Sequence, residues 1–134
     1  MNDGELIKDF DAAPKQSDAA PEPSIDPAIL SSLFAIVDDE MGRTLCDQLL
    51  SDFRRMASGL EDAEPVVVAK IAHEMKGLSA TIGAHRLADL AQTLNKAAES
   101  VSPNALAVLT YPVRQEVEGV LAVLNTCARA IRQQ

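Results

Sequence analysis

The sequence contains no tryptophan, one tyrosine and three phenylalanines, so a core has to be assembled from aliphatic side chains and methionine. Basic residues are also scarce: twelve Lys and Arg stand against twenty Asp and Glu, a formal net charge of −8. A chain of that sign is repelled by phosphate backbones and anionic headgroups, which argues against nucleic acid or a membrane surface as the main partner. Long apolar runs are missing. The longest uncharged stretch near the C-terminus, 100–113, carries two prolines and is too short to span a bilayer. The opening residues, Met1-Asn2-Asp3-Gly4-Glu5, are acidic and lead into no apolar stretch, so no secretory leader is expected and the expected compartment is the cytoplasm. Two cysteines, Cys46 and Cys127, allow one disulfide in principle, but the expectation is a pair of reduced, semi-buried thiols. There is no internal repeat, no low-complexity tract and no glycine-rich phosphate loop.

What is present is 47% hydrophobic residues in a chain of 134, enough for the core of one domain. Alanine and leucine dominate and β-branched runs are few, which points to helices. Residues 1–24 are different in kind. Six acids stand there against Lys8 and Lys15, a net of −4, and Pro14, Pro21 and Pro23 break any long helix. This composition predicts a mobile acidic tail, within which Leu6, Ile7 and Phe10 could make one short amphipathic turn. Residues 25–134 are the expected folded domain.

Helix signals then follow in order. Asp26-Pro27 is an N-cap and first-turn pair, and Ile29, Leu30, Leu33, Phe34 and Val37 carry a short helix over about 27–37. Asp38-Asp39-Glu40 caps a second helix whose apolar stripe is Met41, Leu45, Leu49, Phe53, Met56 and Leu60. Pro65 opens a third helix, which should end at Gly83. A fourth follows at once, with Leu87, Leu90, Ala91, Leu94 and Ala98 inward. Ser102-Pro103-Asn104 punctuates the chain before a last helix with Val113, Val117, Val120, Leu121, Leu124, Ala128 and Ile131 inward. Pro112 is expected to kink that helix or split it into 104–110 and 112–132. The fold class is all-α: an antiparallel up-down-up-down four-helix bundle with an additional short N-terminal helix.

The third helix carries the chemistry. At about 100° per residue, Val68, Ile71, Met75, Leu78 and Ile82 fall within about 60° of one side, the expected core stripe. His73 stands on the opposite side, and Ala69, Lys76, Gly77, Ala80 and Ala84 fall within about 60° of it. A mid-helix glycine costs about 1 kcal/mol relative to alanine, so Gly77 calls for a reason. It lies one turn from His73 on the same face, where the missing side chain lets a bulky group approach. Lys76 reaches the same space. Its ammonium would pair with an anion later carried on the ring.

His73-x-x-Lys76-Gly77, followed by Ser79-Ala80, Gly83-Ala84 and Leu87, resembles the histidine phosphotransfer domains of bacterial phosphorelays. The resemblance is strong over 72–94 and extends over 25–132. Two positions depart from it: Leu78 stands where a small residue is common, and Asn95 where an acidic residue often ends the next motif. Neither is expected on the face of the histidine. The resemblance implies that His73 accepts a phosphoryl group from the aspartyl phosphate of a receiver domain and passes it to another receiver's aspartate. Lys76 would offset charge, and Gly77 would keep the approach clear. Ala69, Lys70, Ala80, Ala84 and Arg86 would form the partner surface, Lys70 and Arg86 as a local positive island facing an acidic receiver pocket. Magnesium would come with the receiver, and the domain itself would hold no cofactor or metal. It would be a monomeric carrier without its own ATP-binding or kinase domain.

Two other readings stay open. One is the phosphoacceptor domain of a chemotaxis-type histidine kinase, phosphorylated from ATP by a separate kinase domain. The other is a helical adaptor without chemistry. The remaining candidates read as ordinary surface. His85 lacks partners spaced for zinc. Glu74 follows the histidine as an acid does in sensor-kinase dimerisation helices, but the rest of that motif is missing, and it reads as a solvated flank residue. Deleting residues 1–24 should leave the bundle folded and transfer intact, because the tail has little apolar surface to bury. A thermal melt of the truncated protein checks this: a large drop would put Leu6, Ile7 and Phe10 in the core.

Overall fold

The computed structural model describes residues 23–61 and 64–132, which form five helices with no strand among them. The expected tail, with Leu6, Ile7 and Phe10, lies outside the described residues apart from Pro23 and Ser24. Helix α1 spans Pro27–Ala35. The Asp26 carboxylate caps it by accepting from the Ala28 N–H at 3.0 Å, and Pro27 takes the position where its missing N–H costs nothing. Helix α2 spans Asp39–Leu60, with Asp38 accepting from the Met41 N–H at 2.8 Å and Asp39 and Glu40 on the positive end of the helix dipole. Its buried stripe is Cys46, Leu49, Leu50, Phe53, Met56 and Leu60. Met41, expected in that stripe, is 55% exposed. The inward position of the first turn is Gly42, where an added Cβ would lie 3.5 Å from Phe34 and 3.6 Å from Ile131.

Helix α3 spans Pro65–Ile82 and stops as expected at Gly83, whose φ of 85° is left-handed. Its buried face is Val68, Ala69, Ala72, Met75, Ser79 and Ile82, while Ile71 and Leu78 are only half-buried. The stripe is therefore turned toward the small residues relative to the expected one. The cause is α4, His85–Ala97, which packs most extensively on α3 and comes in over that small-residue side. Ser79 lies within this contact, and its hydroxyl has no hydrogen-bond partner among the described residues.

Helix α5 spans Pro103–Arg132. Ser102 caps it by accepting from the Ala105 N–H at 3.2 Å. The split at Pro112 does not occur: the helix is continuous through it. The carbonyl that Pro112 cannot serve belongs to Val108, a residue 70% exposed, so water reaches it and no buried acceptor is orphaned. The stripe Leu106, Val113, Val117, Val120, Leu124 and Ala128 holds both halves on the core. Contacts join α2 to α3 and α5, and α4 to the same two helices. Helix α1 packs on the end of α3, where the Asp26 N–H donates to the Gly83 carbonyl at 2.9 Å. Among the described residues, no helix is long and apolar enough to cross a membrane.

Gly83 joins two demands, a left-handed φ and a close approach by α1. A Cβ built there lies 2.9 Å from Ile29 Cβ. Gly83→Ala should therefore destabilise the protein by at least about 1–2 kcal/mol, the cost of a side chain in left-handed backbone, before any clash is relieved. A denaturant melt with unchanged slope checks it.

Candidate functional site

Helix α3 presents His73 to solvent near its middle, as its place on the wheel requires. The imidazole borders an open depression of about 450 Å³ with Val66, Ala69, Lys70, Glu74, Asn95 and Glu99. One turn on, Gly77 is exposed, and a Cβ built there meets no heavy atom within 4 Å. Ala80 is exposed on the same helix, Lys70 is exposed, and Lys76 is half-buried. The helix is intact around the clearing, with the Thr81 hydroxyl donating to the Gly77 carbonyl at 3.0 Å.

Several expected site residues are placed otherwise. Ala69 is 8% exposed and Ala84 is fully covered, so neither offers the apolar docking surface that the wheel suggested. Helix α4 covers the Ala69 flank, and Ala84 closes the α3–α4 turn, its N–H donating to the Ser79 carbonyl at 2.8 Å. Arg86 is not a free cation beside His73: its Nε lies 3.3 Å from Glu116 Oε1 on α5. Of the expected positive island of Lys70 and Arg86, only Lys70 borders the depression beside His73. Asn95, not expected on the histidine's side, borders the same depression and donates through Nδ2 to the Ala69 carbonyl at 2.8 Å. That carbonyl is four residues before His73, so α4 grips the backbone turn that carries the imidazole.

Glu74 stays exposed on the flank of the helix, as expected, but it has a partner. Arg55 of α2 reaches across to it with both terminal nitrogens, Nη1 at 3.3 Å from Oε1 and Nη2 in close contact with Oε2. Hydrogen bonding from Arg55 holds the Glu74 carboxyl below the ordinary glutamate range against the opposing effect of burial, and the same bond raises Arg55. Asp52 lies 3.8 Å from Arg55 Nη2 one turn back on α2. Sequence spacing carried no signal for this contact, because nineteen residues and a change of helix separate its partners. The same holds for Asn95 and Ala69, twenty-six residues apart.

The other titratable groups lie elsewhere. His85 Nε2 is 4.0 Å from Asp26 Oδ2, at the α1 end of the molecule. Cys46 is buried with Sγ 3.9 Å from the Leu124 carbonyl, and half-buried Cys127 has its thiol pushed up by burial. The two are not joined in a disulfide. A larger cavity of about 640 Å³, lined by Leu30, Phe34, Val37, Val123, Cys127 and Ile131 among others, lies between α1, α2 and α5 and does not touch His73. A largely apolar cavity suits a small ligand, whereas an exposed histidine in a clearing suits a reactant delivered by another macromolecule.

A family model described as Hpt domain matches residues 40–134. No curated protein and no solved structure matches the chain.

The open surroundings of Gly77 make its cost purely one of helix propensity. Gly77→Ala should raise stability by up to about 1 kcal/mol. A thermal melt checks it, and a loss of stability would mean that the face is covered.

Proposed function

The chain belongs to the Hpt domain family, and on that premise we propose that His73 is its phosphoacceptor, taking a phosphoryl group from a receiver-domain aspartyl phosphate and passing it to another receiver's aspartate. Family membership makes the domain a phosphoryl carrier of two-component signalling, and receiver domains are the partners such carriers meet. One observation carries the assignment of the residue: an exposed histidine with Lys76 at i+3 and, at i+4, a glycine whose surroundings are empty within 4 Å.

The step proceeds from the neutral ring. The Nε2 lone pair attacks phosphorus while the proton stays on Nδ1. The N–P bond forms as the acyl O–P bond breaks, and the receiver's carboxylate leaves with the bonding pair. Transfer onward is the reverse at a second aspartate. In-line displacement of this kind is mostly positioning and charge stabilisation. Lys76 offsets phosphoryl charge, Gly77 and Ala80 let the receiver close on the ring, and Lys70 faces its acidic pocket. Magnesium travels with the receiver, and the exchange takes place in the cytoplasm between the receiver and a monomeric carrier. In this reading the four long helices run up-down-up-down. The two-residue α3–α4 connection and the pairing of α2 and α4 each with α3 and α5 support that arrangement.

Incubation with a phosphorylated receiver, followed by acid-labile, base-stable phosphate on this chain, tests the proposal. His73→Gln should lose uptake entirely with little change in melting temperature, since an exposed side chain leaves no cavity. Gly77→Gln should keep or raise stability yet cut transfer by about 100-fold, the scale of a misplaced approach. Uptake by His73→Gln would refute the assignment, and wild-type transfer by Gly77→Gln would refute the role given to the clearing. Uptake only from ATP plus a kinase domain would make the chain a kinase's phosphoacceptor domain instead.

A further inference from the structure

We infer that Arg55 is a positioning residue for this reaction: by holding the Glu74 carboxylate against α2, it keeps that negative charge away from the phosphoryl group arriving at His73. The inference rests on the reading of His73 as phosphoacceptor.

Glu74 follows His73 directly and borders the same depression. Its side chain is 48% exposed, so only a specific partner keeps it in one place. Arg55 is that partner. Its planar fork engages both carboxylate oxygens, and Asp52 lies 3.8 Å from the same Nη2 that meets Oε2. A fork fixes the direction of a carboxylate as well as its charge, which a single ammonium does not. The remaining charges around the imidazole are Lys70 and Lys76 on α3 and Glu99 just beyond α4. With Glu74 neutralised, the lysines outnumber the one remaining acid. With Glu74 released, two carboxylates stand beside two lysines, and one of them is the residue next to the nucleophile. The incoming phosphoryl group is itself anionic, so the rate is sensitive to that change.

The pair has little value as a structural tie. Arg55 is 54% exposed, and exposed ion pairs contribute little to stability because water and salt screen them. The low position of the Glu74 carboxyl agrees with a charge that is retained but neutralised by its partner.

The experiment uses the full chain and four forms: wild type, Arg55→Ala, Glu74→Gln and the double variant. Phosphohistidine formation is followed with phosphoramidate, a small donor that needs no docking, and with a phosphorylated receiver, each at low and high salt. Arg55→Ala should slow uptake from both donors by about threefold or more at low salt, the scale of one unscreened charge near the reacting group. The difference should shrink near 1 M salt, where the Debye length is about 3 Å. Glu74→Gln breaks the same ion pair but should be no slower than wild type, and the double variant should return to the wild-type rate. A mere α2–α3 tie predicts the opposite, equal slowing by either single change. Equal slowing, a double variant as slow as Arg55→Ala, or an Arg55→Ala variant that labels like wild type would each overturn the inference alone. A wild-type chain that takes up no phosphate from any donor removes the His73 reading and this inference with it.

Discussion

The close contact between α3 and α4 is the constraint on which the His73 face depends. It begins at Gly83, a left-handed residue that ends α3 and leaves only Ala84 before α4 starts. So short a connection lays α4 directly along α3, and Ala69, Ala72 and Ser79 are small enough to accept it there. Asn95 then reaches the Ala69 carbonyl from the far end of α4. With one flank of α3 covered in this way, the flank left open is the one bearing His73, Gly77 and Ala80. The same glycine also serves α1, since its carbonyl accepts the Asp26 N–H and its missing side chain admits Ile29. One backbone position thus ties the N-terminal helix, the turn and the exposed face together.

Charge around the site is arranged by pairing more than by abundance. In a chain of net −8, the field around an exposed histidine is set by which of its neighbouring charges are paired. Two acids are engaged by arginines from other elements, Glu74 of α3 by Arg55 of α2 and Glu116 of α5 by Arg86 of α4. Lys70 and Lys76, by contrast, are uncommitted in the ion pairs of the described residues and remain available along α3. Arginine's fork suits fixed pairing, while lysine's mobile ammonium suits a transient anion.

Much of this was legible in the chain because the signals are local. Caps at Asp26 and Asp38, the stop at Gly83 and the valine and leucine stripes act within one helical turn, and each element appears where those signals stand. The motif His73-x-x-Lys76-Gly77 was readable for the same reason, since i+3 and i+4 neighbours share a face whatever the helix packs against. Errors arose where a helix wheel was asked for more than periodicity. The wheel treats all apolar residues as equally inward. It therefore placed Ile71 and Leu78 in the core ahead of Ala72 and Ser79, and left Ala69 and Ala84 in solvent. Met41 was drawn inward for want of any sign that Gly42 is the packed position.

By itself, the sequence determined the helices, their ends, the all-helical class and the one histidine that stands opposite a core stripe, because hydrophobic period and capping chemistry act over three or four residues. Tertiary structure alone decided which side of α3 would be covered, that Pro112 would stay inside one continuous helix, and that Arg55, Asn95 and Glu116 would meet Glu74, the Ala69 carbonyl and Arg86. Those contacts join residues nineteen to thirty positions apart on different helices. They exist only once the helices have packed, and no local pattern in the chain encodes them.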